Sequence, residues 1–288
     1  MAETTFSSFA VVGAGGSVGK HIVESLIAKN VNVLVLTRPS SSSAPSGPRA
    51  KVERVEYTDI VGVARVLQEH NVEVLISALP FEDLPAQEPL AKAALQAGCV
   101  RLFVPSEYGM PTEGGEEAIL LHKDRYTKML KELGMPSLRL YSGLFAEWIP
   151  IIGCVAEKGK FLLVAKGDTP MSVTTMSDVG GYLAHIITTL PPSKLLNTVF
   201  RIEGDRATLN EFAVLYEKAD VSIQHAEKIP EDVKDAFVRD YLQQRSDTGG
   251  VSTRWDIVSG REMEGEEGNM NGLWEGHVWT SVRALHAL

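Results

Sequence analysis

Four glycines within seven residues, Gly13, Gly15, Gly16 and Gly19, stand between an apolar run at residues 9–12 and a stretch of helical spacing at residues 20–30. Residues without a Cβ let a turn take unusual backbone angles, let the main chain approach a pyrophosphate, and let a helix pack tightly on a strand. The N–H groups of Ser17 and Val18 would then meet the phosphates together with the positive end of the helix dipole. Gly13, Gly16 and Gly19 are spaced GxxGxxG, a variant of the commoner G-x-G-x-x-G. Glycine-rich turns are frequent, so the spacing alone decides little. Its place after a strand and before a helix, in the first crossover of the chain, marks a dinucleotide site.

The end of the second strand, at residues 31–37, decides which dinucleotide. A site for NAD places Asp or Glu there to bind the ribose hydroxyls. This sequence has Thr37, Arg38, Pro39 and Ser40 instead. A guanidinium pairs with a 2′-phosphate through two N–H groups, and a serine hydroxyl adds a donor. NADP(H) is therefore the expected cofactor. Asp59 follows the third strand, where such folds pass the adenine, and is equally well placed to cap the next helix.

A reductase of the common short-chain type would carry Tyr-xxx-Lys. Here Tyr108 is followed four residues later by Thr112, Tyr126 by Leu130, and no tyrosine by lysine. The acid/base group is expected elsewhere, near the carboxyl ends of the strands. The two cysteines, Cys99 and Cys154, form no CxxC or Cys/His spacing, which fits a reducing compartment and gives no metal framework. With 37 acidic against 28 basic residues, the chain lacks the basic face that nucleic acid selects. No run approaches the ~20 apolar residues of a membrane span, and no basic segment precedes the first strand as in a signal peptide. These features predict a cytoplasmic protein without metal, nucleic-acid or membrane partners.

Positioning such residues requires a frame. Strands are expected at residues 9–12, 31–37, 52–57, 72–78, 101–105 and 137–141, with helices at 20–30, 59–70, 84–97 and 116–133. Alternation of this kind gives a parallel sheet with right-handed crossovers: an α/β, doubly wound Rossmann fold. Residues 40–48 read as a Ser/Pro/Gly loop. Past residue 145 the alternation weakens, with helices expected at 149–157, 177–189 and 209–219 and strands at 161–164 and 198–202. Residues 227–270 read as a lid or as plain surface. The expected division is a dinucleotide-binding domain over residues 1–148 and a smaller C-terminal substrate lobe over 149–288, some segments of which return to the sheet.

The glycine loop, Thr37-Arg38-Pro39 and the segment Arg101-Leu-Phe-Val-Pro-Ser-Glu-Tyr-Gly109 resemble the isoflavone reductase, phenylcoumaran benzylic ether reductase and NmrA-like group, atypical relatives of the short-chain dehydrogenases. Gly134-Met-Pro136, Phe145-Ala146, Asp178-Val-Gly180 and Gly204-Asp205 also fit, so the resemblance covers nearly the whole chain, diffusely past residue 161. The reductases carry Pro-Ser-Glu-Phe-Gly after the fifth strand and a catalytic lysine on the next helix; Lys123 stands at the matching place.

The resemblance implies an NADPH-dependent reductase acting on a C=C, C=O, C=N or benzylic ether bond of a small, often aromatic, natural product. Lys123 would be its general acid/base, suited to the task if desolvation lowers its pKa. Ala78, Leu79, Pro105, Ser106 and Lys123 would join the cofactor residues. Phe81, Tyr108, His122, Phe145, Trp148 and Met171 are expected by position around the substrate. One departure stands out: the reductases carry Asn after the sixth strand, where this chain has Gly143. Two other outcomes follow from the same resemblance, a regulator that senses NADP(H) without turnover and a non-redox cyclase that keeps NADP(H) as scaffold. The partner is a small-molecule substrate, and the chain a monomer or homodimer.

Overall fold

The apolar run before the glycine loop forms β1 (Ser8–Val12), buried along nearly its whole length. The computed structural model describes residues 3–41 and 49–288, so residues 42–48 of the expected Ser/Pro/Gly loop lie outside the described residues. After β1 come α1 (Ser17–Ala28), β2 (Asn32–Thr37), β3 (Ala50–Arg54), α2 (Ile60–Glu69), β4 (Val74–Ser77), α3 (Gln87–Ala97) and β5 (Leu102–Val104). The five strands make one parallel sheet in the order β3-β2-β1-β4-β5. Val11 lies in register with Val35 on one side and Ile76 on the other. The chain winds outward from β1 in one direction and then returns to build the other half. The carboxyl ends of β1 and β4 are therefore the switch point where open α/β sheets bind ligands.

The chain forms two compact units. The first comprises residues 1–107, 114–140 and 179–200, and the second residues 108–113, 141–178 and 201–288. The sequence suggested a break near residue 148, whereas the units trade the chain back and forth.

In the first unit, Val12, Leu36, Leu67, Leu75, Leu90 and Phe103 belong to one apolar cluster beneath α2 and α3. Each such side chain contributes about 1.5–3 kcal/mol when fully buried. Ile22, Val23 and Leu26 are the buried stripe of α1. The third strand ends earlier than its apolar pattern suggests, because its partner β2 ends at Thr37, in register with Arg54; beyond it the Tyr57 hydroxyl donates to the Leu36 carbonyl at 3.0 Å. The single helix expected at 84–97 starts as a 3-10 turn at Phe81–Ala86, which accommodates Pro85, and becomes α-helical at Gln87. Next comes α4 (Ala118–Glu132), and β6 (Leu138–Tyr141) follows, its approach marked by a parallel bridge between Phe103 and Ser137.

The second unit holds β7 (Leu144–Phe145), two short helices α5 (Ile149–Ile152) and α6 (Val155–Lys158), β8 (Lys160–Leu163) and β9 (Met171–Thr174). The sequence suggested one helix at 149–157. The interruption falls at Cys154, which takes a left-handed conformation with φ of 57°. Strand β9, buried at every position, is not apparent in the sequence because Met, Ser, Val and Thr show no alternation. It pairs in parallel with β7 and antiparallel with β11 (Asp205–Ala207), which follows α7 (Met176–Thr189) and β10 (Thr198–Arg201) in the chain. A capping box of Thr208 and Glu211 opens α8 (Leu209–Glu217), and β12 (Ser222–His225) pairs with β8.

Much of the tail is tied into this unit. The buried carboxylate of Glu203 accepts from Ser172 at 2.7 Å, Arg206 at 3.3 Å, Arg254 and Asn269 at 3.1 Å. On α9 (Ala236–Asp247), the Gln243 side chain donates to the carbonyls of Ile152 and Leu162 and accepts from the Val164 N–H. Asp178 accepts from the Thr280 N–H at 2.9 Å and lies 3.0 Å from the His277 ring.

Gly143, the departure from the reductase pattern, has a steric cause. Its φ is 68°, and a Cβ there would lie 2.0 Å from the Ser172 carbonyl oxygen. The β9 main chain fills the space an asparagine would need. Gly143→Ala is expected to lower stability by about 2–4 kcal/mol, overpacking plus left-handed strain, read as a lower urea midpoint at unchanged slope.

Candidate cofactor and catalytic site

The glycine loop is built backbone on backbone. Gly13 has φ of 74°, and a Cβ on it would lie 2.3 Å from the Ala78 carbonyl oxygen. A Cβ on Gly19 would lie 2.2 Å from the Gly13 carbonyl oxygen. The Gly16 N–H donates to that same oxygen at 3.0 Å. The loop thus lies against the residues that leave β4, at the switch point of the sheet. Gly16 caps α1 without a side-chain acceptor, and no acidic residue stands in the first turn. The helix dipole and its N-terminal N–H groups, those of Ser17 and Val18 among them, are left for an anion, and the cradle is one that side chains would fill. Both features fit a pyrophosphate.

At the end of β2, Thr37 is buried and its carbonyl accepts the Val55 N–H at 2.9 Å. Arg38 turns outward, with its side chain 50% exposed, and reaches Asp83 at 3.0 Å. Arg54 donates to the Ser41 carbonyl at 2.8 Å and approaches those of Arg38 and Pro39 at 3.4 Å, bracing the bend that carries exposed Ser40. Sequence reasoning missed both Asp83 and Arg54. Only the fold brings them to this bend. Asp59 has a defined task as the α2 cap, accepting the Gly62 N–H at 2.9 Å.

Past β4, the Leu79 carbonyl accepts the Ser106 hydroxyl at 2.7 Å, and the Gln87 side chain accepts the Ser106 N–H at 2.8 Å. The Glu107 N–H donates to the Pro105 carbonyl at 2.8 Å. The Lys123 ammonium, on α4, donates to the Glu107 carbonyl at 3.2 Å. Lys123 is partly exposed as a residue, yet protein surrounds its charged end. That enclosure pulls its pKa below the 10.5 of an ordinary lysine, and the Glu107 charge pushes part of the way back. Gly13, Ala78, Leu79, Ser106, Glu107 and Lys123 form one continuous series of contacts and chain neighbours.

The six residues expected around a substrate fall into separate groups. Phe81 and His122 meet in the first unit with ring centroids 5.3 Å apart, and Tyr126 adds an edge contact to His122 at 5.5 Å. In the second unit Phe145 and Trp148 meet edge to face at 6.0 Å. Met171 is buried in that unit's apolar core, against which Trp148 also packs. Tyr108, 6% exposed, takes the place of the phenylalanine in the reductase segment. Burial raises its phenol pKa, and its hydroxyl has no hydrogen-bond partner among the described residues. Among the described residues, no group of three or more His, Cys, Asp or Glu could hold a metal, and no helix is long and apolar enough to cross a membrane.

Residues 6–245 match the NmrA-like family, and the chain belongs to that family. It is 26% identical to the asnovolin J 5′,6′-dehydrogenase of Aspergillus novofumigatus over 91% of this chain and 84% of that one. It is 22% identical to a phenylcoumaran benzylic ether reductase of Pinus taeda over 74% of each chain. In fold it is similar to the leucoanthocyanidin reductase–NADPH complex of Vitis vinifera, with a TM-score of 0.80 at 17% identity over 98% of each chain. The expected family and the doubly wound α/β fold are both borne out.

A buried hydroxyl without a partner costs about 1–3 kcal/mol of desolvation. Tyr108→Phe is therefore expected to leave the urea midpoint unchanged or to raise it. A lowered midpoint would mean that the hydroxyl has a stabilising partner in the folded protein.

Proposed function

We propose that this chain is an NADPH-dependent reductase of a small, aromatic natural product, with Lys123 as the group that moves the proton. The observation that carries the reading is the continuous series from the Gly13 turn through Leu79 and Ser106 to the enclosed ammonium of Lys123. The relatives' names, a dehydrogenase and reductases of plant and fungal natural products, support the same class of chemistry.

Gly13, Gly16 and Gly19 would give the pyrophosphate its close approach, the N–H groups of Ser17 and Val18 would meet its oxygens, and Arg38 with Ser40 would take the 2′-phosphate. Ala78, Leu79, Pro105 and Ser106 would line the remainder of the cofactor. NADPH, when bound, supplies the hydride. The chain's part is to hold one proton ready. An ammonium kept from water with a lowered pKa releases its proton more readily than an ordinary lysine, and the Glu107 charge opposes that release. Delivered to the atom where negative charge develops, that proton completes a two-electron reduction. Phe81 and His122 offer one aromatic surface, and Tyr108, Phe145 and Trp148 are further candidates for substrate contact.

Lys123→Ala is expected to keep NADPH affinity and to lose turnover by about 10²–10⁴-fold, measured as NADPH absorbance with a panel of phenylpropanoid, imine and quinone acceptors. Because the protonated lysine is the active form, wild-type turnover should fall as pH rises through its pKa, which lies below 10.5. Unchanged turnover in the variant removes the role assigned to Lys123. Tight NADPH binding with no oxidation by the wild type favours a sensor or a non-redox enzyme.

A further inference from the structure

Two side chains of α4 converge on one residue of the loop that follows β5. Lys123 and Thr127 are one helical turn apart and so share a face. Lys123 donates to the Glu107 main-chain carbonyl at 3.2 Å, and the Thr127 hydroxyl donates to the Glu107 carboxylate at 3.2 Å. Glu107 is 1% exposed. A carboxylate taken out of water persists as a charge only where a cation or several donors compensate it.

We infer that Glu107 is the positioning residue of this site: its carbonyl fixes the Lys123 ammonium, and its carboxylate holds that ammonium in the charged form. The inference rests on the reading of Lys123 as the proton-moving group. The corner that carries Glu107 is itself held from three sides, by Pro105 within the loop, by Gln87 of α3 and by the Leu79 carbonyl after β4. A shift of the corner would move the ammonium with it.

The other charges around α4 are engaged or turned away. Asp124 pairs with Lys128 at 2.6 Å, Glu88 of α3 pairs with Lys92 at 2.8 Å, and Arg125 and Lys131 are exposed. His122 faces the rings of Phe81 and Tyr126. Gln87, the α3 side chain at the corner, carries no charge. Glu107 is the charged group that acts on Lys123, and it opposes the loss of the proton that enclosure favours. An uncharged Gln at 107 keeps the size and an acceptor for Thr127 while removing that opposition.

The test is the pH dependence of Lys123 acylation by acetic anhydride, read by peptide mass spectrometry on the full chain with and without NADP⁺. It is run for wild type, Glu107→Gln and Glu107→Asp beside the pH profile of turnover. The Lys123 midpoint should move to lower pH in Glu107→Gln and return toward wild type in Glu107→Asp, with the alkaline limb of turnover following it. A Lys123 midpoint in Glu107→Gln that coincides with wild type overturns the inference. A midpoint that moves while the turnover limb stays put upholds Glu107 and instead removes the proton role of Lys123. Should Glu107→Gln fail to fold, Thr127→Val carries the test. Freeing the carboxylate should lower the Lys123 midpoint, and an unmoved midpoint overturns the assignment.

Discussion

Main chain packed on main chain at Gly13 is the constraint on which the cofactor half of the molecule depends. The Gly13 carbonyl receives the Gly16 N–H and lies where a Cβ on Gly19 would stand, while Gly13 itself leaves no space before the Ala78 carbonyl. This contact joins β1, the start of α1 and the exit of β4 without an intervening side chain. It sets the N-terminus of α1 at the switch point of the sheet and leaves its N–H groups uncapped. A strand order that winds out from β1 in both directions supplies the crevice, and the missing Cβ atoms let a ligand into it.

From that contact the chemistry extends along β4 and β5. The exit of β4 gives Leu79 its hold on Ser106, the Ser106 corner presents the Glu107 carbonyl, and α4 brings Lys123 to it. Enclosure makes a lysine at this place costly to keep charged. The second unit is held differently. Its tail is tied down through Glu203, Asp178 and Gln243, buried polar side chains with several partners each. Residues 252–271 are thus fastened at Arg254 and Asn269, so the lid expected as one reading of residues 227–270 has little freedom there.

Much of this was legible in the sequence because it depends on local pattern. The apolar runs of β1, β2 and β4, the glycine spacing and the position of Arg38 are each visible in a few consecutive residues. The family resemblance pointed to Lys123 where spacing alone left it among neighbouring charges. What escaped were contacts that only folding creates. Glu107 lies 16 residues before Lys123 and 20 before Thr127, and Asp83 reaches Arg38 across 45 residues. Strand β9 lacks alternation because it is buried on both faces. Gly143 read as a lost polar contact, yet the nearby Ser172 carbonyl leaves room for no side chain at all.

We propose that the glycine turn and Arg38 make NADP(H) the working cofactor. The direct measurement is calorimetric titration of wild type and Arg38→Ala with NADPH and with NADH. Wild type is expected to prefer NADPH, and the variant to lose about 1.5–3 kcal/mol of NADPH affinity, the range for a charged hydrogen bond, while NADH binding barely changes. Equal losses for the two cofactors, or equal wild-type affinities, would contradict it.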